Sequence, residues 1–191
     1  MKPFIIPTIL TLTFSSAHAL TTGDIAFTGF NADGVDNLAF VALAPIPNGT
    51  EIHFTDNEWT GAAFNTGESG FTWTATSAIA EGAIVLIDDV SGTATSNLGT
   101  VVYFESANKG IAGSDEIVYA YVGTPSTPTA FLSAIANSGF TANGANLTNT
   151  SLADGTTAIN LGNIDGGADI GTYTGVRAGQ VTFAAYAALV N

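Results

Sequence analysis

The spacing of its turns constrains this chain more than anything else in it. Between Asp24 and Leu161, short apolar or alternating runs are interrupted at brief intervals by Gly, Asn, Asp and Pro. Side chains alternate between the two faces of a strand, so a run with every second residue apolar reads as a half-buried strand, and a short continuous apolar run as one covered on both sides. Thr50–Thr55 is the clearest alternating run, with Ile52 and Phe54 directed inward and Glu51, His53 and Thr55 outward. Phe71–Ala75 repeats it, placing Phe71, Trp73 and Ala75 on one face. Leu38–Ala44 and Ala83–Ile87 are apolar throughout and predict strands with both faces covered.

Further strands are expected at Asp24–Phe30, Val101–Phe104, Glu116–Val122 (with Tyr119 and Tyr121 on one face), Phe131–Ala136 and Ala158–Leu161. Asn137–Gly155 is rich in Asn, Thr and Gly and reads as a long loop pinned by Leu147 and Leu152. A second loop of Gly and Asp runs from Asn163 to Asp169. From Phe183 onward, with Tyr186, Ala187 and Val190, apolar residues recur three or four apart in an Ala-rich setting, which predicts a short C-terminal helix. About eight short strands and a single helix predict an all-β fold, an antiparallel β-sandwich. An internal echo is also present. Ile46, Gly49, Ile52, Phe54 and Asp56 recur in spacing as Ile79, Gly82, Val85, Ile87 and Asp89, and read as two similar hairpins.

The first 19 residues stand apart. Lys2, the apolar stretch Phe4 to Phe14 and the Ala17-His18-Ala19 cleavage pattern read as a secretory signal peptide, leaving residues 20–191 as one sandwich domain that begins at Leu20. The expected destination is extracellular or the cell surface, the periplasm being the other site that export allows. No other apolar run reaches membrane-spanning length, so no membrane insertion is expected.

Beyond Lys2 the chain has two basic residues, Lys109 and Arg177, against sixteen acids. Binding to nucleic acid or to an anionic membrane requires cations that neutralise phosphates, and here there are almost none. The balance favours divalent cations. Cysteine is absent, which excludes disulfides, a lipid anchor on Cys and thiolate metal sites. Only 10% of residues are charged, while 46% are apolar, so a large core is available and disorder is excluded. Such a surface, poor in Lys, suits a subunit in a larger homo-oligomer or polymer.

Gly23-Asp24-Ile25-Ala26-Phe27-x-Gly29-Phe30-Asn31-x-Asp33, Phe40-Val41-Ala42-Leu43, Phe54-Thr55-Asp56-Asn57-Glu58-Trp59, Phe64-Asn65-x-Gly67-Glu68 and Thr72-Trp73-Thr74-Ala75 resemble a module of exported bacterial proteins related to the lamin-tail type of immunoglobulin-like sandwich. Ala120-Tyr121-x-Gly123 and Tyr173-Thr174-Gly175 resemble its later half. The resemblance implies an accessory or surface unit, at times beside a nuclease or phosphoesterase domain, that is not itself catalytic. It carries over no catalytic residues.

The candidate chemistry is sparse. His53, the one His beyond the leader, is expected on an exposed strand face, and no nucleophile elbow accompanies it. Calcium takes six to eight oxygens from flexible loops. Asp33 and Asp36 in the loop Asn31–Asn37, together with Asp56 and Glu58 leaving the strand at Thr55, supply such oxygens if both segments meet at one end of the sandwich. Trp59, after an acidic turn, is the candidate platform for a surface glycan, whereas Trp73 belongs to the core.

The sequence therefore predicts a secreted, non-enzymatic structural or adhesive protein that binds calcium. It would assemble into a fibre or layer by strand addition, with the Thr-rich start of the first strand as the donor. The alternatives are an accessory glycan-binding module and a metal-dependent hydrolase using Asp and Glu.

Overall fold

The computed structural model describes residues 19–162 and 168–175. The expected leader, most of the second Gly/Asp loop and the expected C-terminal helix lie outside the described residues. Among the described residues, eleven strands are arranged in two sheets. In chain order they are β1 (Ile25–Asn31), β2 (Asn37–Ala42), β3 (Glu51–Thr55), β4 (Ser69–Thr74), β5 (Ile84–Asp88), β6 (Thr95–Ser96), β7 (Thr100–Ser106), β8 (Ile117–Thr124), β9 (Thr127–Ala136), β10 (Ala158–Asn160) and β11 (Ile170–Thr172). A five-stranded sheet runs β11-β1-β2-β5-β6 and a six-stranded sheet β10-β9-β8-β3-β4-β7. Every pairing is antiparallel except β9 with β10. The fold is a β-sandwich, as the turn spacing predicts. Among the described residues, no helix is long and apolar enough to cross a membrane.

The sheets meet through the inward residues of the alternating strands. Phe54 stacks on Phe71 at 5.2 Å between centroids and lies 5.7 Å from Phe40, whose ring meets Trp73 edge-on at 5.4 Å. Phe27 closes on Phe54 at 6.1 Å. Val85, Ile87, Leu38 and Ile52 fill the space around them, all buried.

The echo takes a different form from two hairpins. Its halves are two of the connections that cross between the sheets, β2 to β3 and β4 to β5, and they lie side by side. Ile46 and Ile79 exchange both backbone hydrogen bonds, at 2.9 and 2.8 Å. Each segment leaves one sheet, turns and enters the other, so one geometric demand produced one sequence pattern twice. This stitched end of the sandwich lies opposite the end where β3 leaves and where β2, β4 and β8 enter.

A second apolar layer covers the outer face of the six-stranded sheet. Tyr119, Tyr121, Phe131, Ala134 and Ala158 stand on that face, and Trp59, Phe140, Ala145 and Leu152 descend on them from the loops. Leu147 packs partly buried against the same cluster, so the long loop is pinned at both leucines as expected. This layer overturns three outward assignments. His53 is 2% exposed and Thr55 3%, because neighbouring strands and loops cover the face that alternation alone assigns to solvent. Trp59 is 7% exposed: its indole N–H donates to the Thr148 carbonyl at 2.8 Å and its ring packs edge-on against Phe131. It is a bolt holding the loop, and no glycan platform.

The start of the first strand is likewise no free donor. Gly23 N–H donates to the Leu132 carbonyl and Thr22 hydroxyl to the Phe131 carbonyl, while β1 pairs with β2 from Ile25 to Asn31 and with β11 over Gly29 to Asn31.

Candidate metal centre

At the open end of the sandwich, three carboxylates from separate segments converge. Asp56 follows β3, Glu68 precedes β4 and Glu116 precedes β8, so the pairing of β3 with both neighbours brings all three together. Their nearest oxygens lie within 4.8 Å of one another. Asp56 continues the inward phase of Phe54, which turns it towards the interior, and it is 5% exposed. Ser69 holds it, donating its backbone N–H at 2.8 Å to Oδ1 and its hydroxyl to the same carboxylate at 3.1 and 3.2 Å. Glu116 is 7% exposed and accepts weak backbone bonds from Ala112 and Ile117 at 3.3 and 3.4 Å. Glu68 Oε2 is buried with no hydrogen-bond partner among the described residues.

Desolvation opposes charge on all three. Burial first, then the neighbouring Glu68 carboxylate, pushes Asp56 up to about 7 against the hydrogen bonds from Ser69. Burial, Glu58 and Glu105 push Glu68 up to about 7, and burial with Asp56 and Glu68 pushes Glu116 up to about 8. The nearest ammonium does not neutralise them. Lys109 lines the same cavity of about 260 Å³, but its Nζ donates to the Gly92 carbonyl at 2.7 Å and stands 4.1 Å over the Tyr103 ring. Such a set of hard oxygen donors fits Ca²⁺, with Asn108, Gly110 and Ile111 lining the same cavity.

The four acids expected from sequence divide. Asp56 is in the cluster. Asp36 lines the same cavity from the five-stranded sheet, buried, with its Oδ2 accepting Ile111 N–H at 2.7 Å. That bond needs glycine beside it: Gly110 has φ +111°, and a Cβ there would stand 2.7 Å from the same oxygen. So the two expected segments do meet at one end. Asp33 is exposed in a turn closed by its own N–H on Asn31 Oδ1, outside the convergence. Glu58 binds Asn65, whose Nδ2 donates to its Oε2, and acts on the cluster only as a neighbouring negative charge. Sequence reasoning missed Glu68 and Glu116. The signal available was their position: each is an acid immediately before a strand, as Asp56 is one immediately after.

His53 stands on the opposite face of the sheet from the cluster. The Gly123 carbonyl can only accept, so Nε2 carries the proton and donates to it at 3.2 Å, while Nδ1 accepts the Thr72 hydroxyl at 2.8 Å. Burial lowers its pKa. With both nitrogens engaged and the ring between Tyr121 and Phe104, it is a structural histidine. No protein-family model, no curated protein and no solved structure matches the chain.

Proposed function

We propose that the chain is an exported, non-enzymatic sandwich of the lamin-tail-like immunoglobulin type. It serves as a structural or adhesive module, with a divalent cation, calcium first, binding the open end. The observation that carries this is the convergence of Asp56, Glu68 and Glu116 with no cation among the described residues directed at them. Three carboxylates held in this way are costly alone and become favourable around a metal, which binds the folded state only. The separation of His53 from these acids by the thickness of the sheet favours contact over turnover. The motifs quoted above support the lamin-tail-like assignment, and the two-sheet architecture agrees with it.

Self-association belongs to the same reading, but through another strand. Among the described residues β7 is the last strand of its sheet, seven residues long and free of Lys and Pro, with Val102 66% exposed. Its one guard is the bulge at Phe104, and the stretch Thr100–Tyr103 before it is open to a strand from a second copy.

The test is calcium titration of the metal-free protein, followed by calorimetry, thermal unfolding and sedimentation. Calcium is expected to raise the unfolding midpoint strongly at pH 8 and weakly at pH 5.5, where the carboxyls are protonated. Glu116→Gln abolishes most of the gain. A midpoint indifferent to millimolar calcium at pH 8 defeats the metal reading, and monomers at all concentrations, with and without calcium, defeat assembly.

A further inference from the structure

The outer face of the six-stranded sheet carries a cleft of about 380 Å³ that neither the cation nor strand pairing uses. Phe64 and Phe104 wall it, Thr55 and Asn57 lie at its floor, and Asn65, Thr66, Glu105 and Ser126 supply its polar rim. We infer that this cleft binds a neutral saccharide, its apolar ring face against Phe104 and Phe64 and its hydroxyls on the rim.

Both aromatic walls are fixed before any ligand arrives. Phe104 is the extra residue of a β-bulge: Gly70 pairs with Glu105 and Phe71 with Tyr103, leaving Phe104 unpaired and re-aimed. Its ring lies on the backbone of Gly70, where a Cβ would come within 2.2 Å of it, yet the residue stays 36% exposed. Phe64 is held by Trp59, Tyr119, Tyr121 and Phe131 at centroid distances of 5.1 to 5.9 Å and remains half-buried. Rings held in this way lose little freedom on binding.

The polar groups fit the same ligand. Glu105 is anchored at both oxygens, by Asn57 Nδ2 at 2.8 Å and Gly67 N–H at 2.7 Å, and each oxygen keeps lone pairs for a donor. A hydroxyl-rich ligand donates to it. An anionic ligand is repelled by it, and no cationic side chain among the described residues lines the cleft. The volume suits one or two sugar rings and lies in the usual range for small-ligand sites. A purely apolar ligand would strip water from the Glu105 carboxylate and leave it only the two bonds from Asn57 and Gly67.

The inference rests on the reading of the chain as a contact module and names what it contacts. The full exported chain, with 1 mM calcium and with chelator, is titrated with cellohexaose, laminarihexaose, maltohexaose and mannohexaose, and with an uncharged ten-residue peptide. Trp59 fluorescence reports binding, since its ring lies 5.1 Å from Phe64. At least one hexaose is expected to bind with Kd below about 1 mM and to be recovered uncleaved. Phe104→Ala weakens that binding at least tenfold, and Phe104→Trp keeps it within about threefold, at similar unfolding midpoints. Failure of all four sugars, binding indifferent to Phe104→Ala, or binding of the peptide alone overturns the saccharide cleft. The calcium shift recorded in the same samples separates that outcome from failure of the module reading, which cleavage of the sugar would mark.

Discussion

The two faces of the six-stranded sheet follow different rules. The inner face is apolar along Phe54, Phe71, Val118 and Leu132, its polar points being the Trp73 indole N–H on the Leu98 carbonyl and the Tyr103 hydroxyl on that of Val90, and its strands interdigitate with the other sheet. The outer face carries His53, Thr55, Tyr119 and Tyr121, equally buried but each with a polar atom to place. Tyr119 hydroxyl donates to the Asn146 carbonyl and Tyr121 hydroxyl to that of Pro125, so the same aromatic rings that exclude water also fix the loops above them. Burial on the inner face comes from strands; on the outer face it comes from loops, and these leave a cleft uncovered. The lesson is that alternation reports which residues face the partner sheet, and says nothing of whether the other face is wet.

The largest test of this contrast is truncation on each face. Phe54→Ala is expected to cost about 3–5 kcal/mol and Phe64→Ala about 1–2 kcal/mol, measured by urea unfolding. Equal costs would make the outer layer a second full core. Next in size is the response of the metal-free protein to pH. Asp56, Glu68 and Glu116 are raised in the folded state, so their contribution is full below the ordinary carboxylate range and is lost as pH climbs through about 7 to 8. Unfolding midpoints without metal are therefore expected to fall from pH 5 to pH 8.5, and Glu116→Gln to flatten that fall. A flat wild-type profile would place these carboxyls in water. The smallest effect belongs to His53, whose lowered pKa has the opposite sign. Its contribution holds above its ordinary value of 6.5 and is lost as pH drops below it. His53→Gln is expected to cost about 1 kcal/mol at pH 7 and less at pH 5, so the two variants bend the same curve in opposite directions.

The inner face was legible because Ile52, Phe54, Phe71 and Trp73 state their direction by period alone. The loop pins Leu147 and Leu152 were legible too, as lone apolar residues in a polar stretch. His53 and Trp59 were misread because what covers them lies 70 to 89 residues further along the chain, at Gly123 and Thr148. The candidate centre was half visible for the same reason. Asp36 and Asp56 sit in conspicuous acidic loops, whereas Glu68 and Glu116 join only through strand pairing, which no local pattern records.

The exchange of hydrogen bonds between Ile46 and Ile79 has a mechanical consequence. It makes the sandwich a clothes-peg, pinned at one tip, with Asp56, Glu68 and Glu116 on one jaw and Asp36 facing them from the other. In mild alkali these carboxylates repel one another across the mouth, and a single ion among them would tighten the grip.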